Sequence, residues 1–155
     1  MGHMSLSVAL GLILTVAALN FSGAEEGVLK HSTVRLLFTS GQCLESRKES
    51  RAELFLGNDQ LREFFSLQNS RQFGVGALTL PVVDFSKEHL LLLSMGERPT
   101  AGYGISLSQE KLLYSKNEAE IDIVWDEPSA NAVVAQIITS PCVLLAICLL
   151  YTSPS

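Results

Sequence analysis

Residues 90–108 read "LLLLSMGERPTAGYGISLS", and the fold turns on how this stretch is read. Leu90–Leu93 is apolar at every position, which predicts a central strand covered on both faces. Past the loop, Tyr103, Ile105 and Leu107 alternate with Gly104, Ser106 and Ser108, the pattern of a half-buried strand. Between them lies "GERPTAGYG". Gly96 and Gly102 permit positive φ at its two ends. Pro99 fixes φ and suits the second position of a turn. Such a loop either joins two strands rigidly, with Tyr103 in the core, or presents a stiff surface that loses little entropy on binding. Local chemistry alone favours the strand connection.

The flanking sequence predicts an α+β domain, mostly antiparallel β, a sandwich-like sheet of five or more strands with one packed helix. "STVRLLFTSGQ" alternates, which puts Val34, Leu36 and Phe38 on one face. "AELFL" is a short strand or a helix entry. "GNDQLREFFSLQNSRQFG" reads as the helix, with Asn58 as its cap, Asp59 in the first turn and Leu61, Phe64, Phe65 and Leu67 as its apolar stripe. "KLLYS" and "AEIDIVW" flank a Lys116-Asn117 hairpin turn. "NAVVAQIITSPCVLLAI" reads as a last strand or strand pair interrupted at Pro141.

The chain has 155 residues and a net charge of −5, with no basic stripe, so nucleic acid is not an expected partner. Residues 1–24 are expected to be a signal peptide. "SLSVALGLILTVAAL" carries no charge, and Ser22 and Ala24 occupy the −3 and −1 positions of a cleavage site. The run is shorter than the ~20 residues of a spanning helix. The membrane is therefore expected to be met only through this segment, and only if it stays uncut. "MGH" reads as a cloning scar ahead of Met4. Residues 25–147 form the expected single domain, and 148–155 an atypical tail.

Catalytic machinery is sparse. His31 and His89 lie in no metal motif, and neither a nucleophile elbow nor a phosphate loop is present. No metal and no small-molecule cofactor is expected. Glu118, Glu120 and Asp122 share one strand face opposite Ala119, Ile121, Ile123 and Trp125. A carboxylate-pair hydrolase or a calcium site could use such a row, but a wet strand face over a core describes it better. Cys43 with a histidine is the other candidate pair for a hydrolase. Cys43, Cys142 and Cys148 are expected to be buried small hydrophobes, with a disulfide from Cys43 to one of the others as the alternative.

Several ordered features run through about residues 81–147: Asp84-Phe85, a strand ending in Gly96, Pro99-Thr100-x-Gly102-Tyr103, Glu127-Pro128, Gln136 and Thr139-Ser140-Pro141. Together they resemble the C-terminal domain of the PrcB family, whose loop usually reads Pro-Thr-Gly-Gly-Tyr; here Ala101 stands for the first glycine. The resemblance implies a non-enzymatic protein, secreted or held in a bacterial envelope at the periplasmic side. It further implies that the protein stabilises or assembles a partner protease complex, the protease being subtilisin-like. Arg98, Pro99, Thr100, Ala101, Gly102 and Tyr103 are then the candidate partner-binding residues. The same loop is similar to the Asn-Pro-Thr-Thr-Gly-Tyr/Phe loop of chagasin-type cysteine protease inhibitors, with Arg98 in place of the Asn. That likeness implies the alternative function, direct protease inhibition through Pro99–Tyr103.

Overall fold

The computed structural model describes residues 3–9, 30–43, 48–70, 76–115 and 118–149. Its elements in chain order are β1 (His3–Ala9), β2 (Lys30–Ser40), β3 (Arg51–Phe55), α1 (Asn58–Ser70), β4 (Glu88–Ser94), β5 (Gly104–Ser115), β6 (Glu118–Asp126) and β7 (Cys142–Cys148). The strands form one seven-stranded sheet in the order β1-β6-β5-β2-β7-β4-β3, and every pairing is antiparallel. This is the predicted α+β class.

β2 bends the sheet. Lys30–Thr33 pair with β5, whereas Val34–Ser40 pair with β7. The two half-sheets share one core: Leu91, Leu93, Val143 and Leu145 from β4 and β7 meet Ile105, Leu112, Ile121 and Ile123 from β5 and β6. On the other face of β4 and β7, Leu90, Leu92, Leu144 and Ala146 pack with Phe55 and with Leu61, Phe64 and Phe65 of α1. The result is three layers, two half-sheets and a helix, and the middle layer is apolar on both sides. Leu90 through Leu93 are therefore all at most 4% exposed, as the unbroken leucine run predicts. Each leucine buried this way contributes about 2 kcal/mol of transfer free energy.

β2 departs from its expected single face. The register shifts between Leu36 and Phe38, so Leu37 is the extra residue of a bulge. A one-residue slip sends every later side chain to the opposite face. Val34 accordingly enters the core between the half-sheets, while Phe38 packs on the helix side, edge-on to Phe64 and Phe65. Leu36 is left 53% exposed.

The helix spans Asn58–Ser70 and buries Leu61, Phe64 and Phe65 as predicted, but Gln68 rather than Leu67 completes the stripe. Asn58 is not the capping side chain. The Gln60 side-chain oxygen accepts from the Leu56 N–H at 2.8 Å, and the Gly57 carbonyl accepts from Leu61. A glutamine three residues into a helix can reach back in this way and satisfy a donor ahead of the first turn.

The β5–β6 hairpin closes with Ser115 opposite Glu118. Lys116-Asn117, the expected turn, lies outside the described residues, as does the expected cleavage point after Ala24. His3–Ala9, inside the stretch read as signal peptide, pairs with β6 along Val124–Glu118 in the uncut chain. β7 continues through Cys148, one residue into the expected tail, and Leu149 N–H donates to the Lys87 carbonyl.

Candidate partner-binding site

The six candidate residues Arg98–Tyr103 lie on the connection from β4 to β5, and the chain from Glu127 to Pro141 crosses beside it. Two glycines make the path available. Gly96 has φ +73°, and a Cβ there would stand 2.7 Å from the backbone of Glu49. Gly102 has φ +92°, and a Cβ would meet Pro128 at 3.1 Å and Val134 at 3.2 Å. Both positions demand glycine on conformation and on space. Among the described residues no other residue type has positive φ, so the backbone at Ala101 does not require glycine.

Hydrogen bonds then brace the loop against the crossing segment. Arg98 and Thr139 exchange N–H···O bonds of 2.8 and 2.9 Å, and Ala101 N–H donates to the Ala135 carbonyl at 3.0 Å. The Thr139 hydroxyl donates to the Thr100 carbonyl at 2.8 Å. Thr139-Ser140-Pro141 is the hub of this brace. Ser140 bonds Gly41 and Cys43 through its backbone, and the Pro141 carbonyl accepts from Met95. Three separated motifs, Pro99–Tyr103, Glu127-Pro128 and Thr139–Pro141, thus meet in one assembly. Asp84-Phe85 does different work at the start of β4. The Asp84 carboxylate accepts from the Ser86 hydroxyl and N–H and pairs with Lys87, which holds its pKa below the usual 3.8. Phe85 packs on the helix-side core.

Within the loop, Pro99 and Gly102 are exposed, and Arg98, Thr100 and Ala101 are half-buried. Tyr103 packs against the core between the half-sheets, as the strand-connection reading requires. The larger apolar surface is on the crossing segment. Residues 132–138, expected as strand, pair with no strand; only Cys142–Cys148 does so. Val133 is 103%, Ile137 54% and Ile138 66% exposed. Beside Pro99 and Ile138 an open groove is completed by Arg98, Glu97 and Lys48. Val133, Ile137 and Ile138 escape sequence reading because an apolar run beside a strand is indistinguishable from more strand.

The cysteines correct an expectation. Cys43 and Cys142 are buried, at 6% and 1% exposure, but they are joined as a disulfide with Cα atoms 5.9 Å apart; only Cys148, exposed at the end of β7, is free. The bond ties β7 to the chain beside the Thr139–Pro141 hub. It also removes Cys43 as a nucleophile, so the Cys–His hydrolase reading is overturned. On β6, Ile121 and Ile123 are buried while Glu120 is exposed and Asp122 accepts from the Gln109 side chain at 2.9 Å. This is the wet strand face over a core.

No curated protein and no solved structure matches the chain. Residues 90–147 match a family model, that of the PrcB C-terminal domain. The match begins in β4, takes in the loop, β5, β6 and the crossing segment, and ends in β7. Over residues 90–147, loop and brace included, the chain is similar to the PrcB C-terminal domain.

Proposed function

We propose that this protein is a secreted or envelope binding domain, without catalytic activity of its own, that stabilises or assembles a partner protease complex. The carrying observation is that the Pro99–Tyr103 loop is braced to an exposed aliphatic run, Val133, Ile137 and Ile138, within the PrcB-matched segment. Large apolar side chains left in water on a stiff scaffold mark a protein-binding surface. Association with a protease complex comes from the family resemblance, as does the subtilisin-like character of the enzyme. Export comes from the signal-like residues 1–24.

The test is capture from an envelope extract with the full chain as bait, followed by identification of what is retained. A protease is expected, and Ile137→Asp with Ile138→Asp should reduce its recovery about tenfold. No protease on the bait, together with an unaltered lifetime of the natural protease in a deletion strain, would overturn the proposal.

The exposed Pro99 at the loop tip favours a second reading, direct inhibition. It is tested by inhibition assays against papain-like and subtilisin-like enzymes. If inhibition is seen and survives Thr100→Asp and Gly102→Val, the loop is not its agent.

A further inference from the structure

The groove beside the loop has a chemistry of its own. Its lining is Lys48, Glu97, Arg98, Pro99 and Ile138. Pro99 and Ile138 are exposed apolar surface. Two cations stand on the same lining. Arg98 spends one guanidinium N–H on the Glu97 carbonyl, at 3.1 Å, which leaves most of its five donors for a ligand. Among the described residues, neither Arg98 nor Lys48 has a carboxylate partner. Glu97 offsets one of the two charges, so the groove keeps one surplus positive charge in a chain of net −5. Arg98 is held by its paired bonds to Thr139, and the Lys48–Glu49 backbone lies against Gly96.

We infer that this groove receives a partner segment in which a carboxylate side chain adjoins an apolar one, the apolar group on Pro99 and Ile138 and the carboxylate between Arg98 and Lys48. The inference rests on the partner-binding reading above and names the chemistry of the contact. An arginine presented this way suits a carboxylate through paired N–H···O bonds. A basic segment would meet two like charges here. A polyphosphate or nucleic acid would find two cations, Glu97 and a negative molecule.

The experiment is a titration of the isotope-labelled full chain, followed by amide NMR, with the blocked peptide Leu-Asp-Leu-Asp-Leu and its Leu-Asn-Leu-Asn-Leu counterpart. Shifts are expected at Glu97, Arg98, Thr100 and Ile138. The aspartate peptide should bind about fivefold more tightly than the asparagine one, and the advantage should shrink as salt is raised. Arg98→Gln should remove most of it, while Arg35→Gln, at the exposed pair with Glu88, should leave it unchanged. Equal binding of the two peptides, shifts centred elsewhere, or insensitivity to Arg98→Gln would overturn the inference. So would inorganic phosphate alone reproducing the shifts at equal concentration. The peptide assay contains no protease, so it fails or succeeds apart from the capture experiment. Protease capture with no peptide discrimination would leave the proposed function standing and remove only the groove.

Discussion

Two apolar runs of this chain, Leu90–Leu93 and Ala132–Ile138, would look alike on a hydropathy plot, yet they end in opposite environments. The first is at most 4% exposed, in a strand with neighbours on both edges and layers on both faces. The second crosses a loop, pairs with no strand and leaves Val133, Ile137 and Ile138 in water. Hydrophobicity alone does not assign a segment to the core. A run is buried when the topology supplies ladder partners and a covering layer, and the chain supplies them for only one of the two. An apolar run left uncovered is then a candidate for a partner to cover.

The contrast can be broken most severely at the disulfide, which joins β7 to the braced region. Replacing Cys43 and Cys142 together by Ser should cost about 4 kcal/mol of stability, since the bond spans 99 residues. Urea unfolding measures this, and a loss under about 1 kcal/mol would show that hydrogen bonding alone holds the hub. In the buried run, Leu91→Ala should cost about 3 kcal/mol in the same assay. Gly96→Ala should cost about 2 kcal/mol, because the methyl group meets the Glu49 backbone in a conformation that disfavours it. A neutral result there would mean that the loop path is not rigid. At the small end, Val133→Ser and Ile137→Ser should each change stability by less than about 0.5 kcal/mol. If either lost as much as Leu91→Ala, the two runs would not be opposites, and the exposed surface would be core.

Much of the fold can be read in particular residues. Four consecutive leucines require cover on both sides, and β4 has it. Leu61, Phe64 and Phe65 recur at helical spacing and face the sheet. Glycine and proline in "GERPTAGYG" foretell a stiff connection, and Gly96 and Gly102 have the positive φ to make it. Other features are not legible, because a neighbour distant in sequence decides them. The alternation of Val34, Leu36 and Phe38 looks unbroken, and only pairing with β7 reveals the bulge that turns Phe38 to the helix. The Cys43–Cys142 bond depends on a loop being carried to the start of β7. The candidate site divides in the same way: the six loop residues are contiguous and visible, but Lys48, Val134 and Ile138 join them only in space.

By itself, then, the sequence determined the class of the fold, the strand covered on both faces, the helix stripe and the conformation of the loop. Each follows from local sterics or from the period of apolar side chains. The tertiary structure alone decided which apolar run is left in water, which cysteines bond and which charges border the groove. Those outcomes depend on the non-local pairing of β2, β4 and β7, and no periodicity within a single segment encodes where its neighbours will lie.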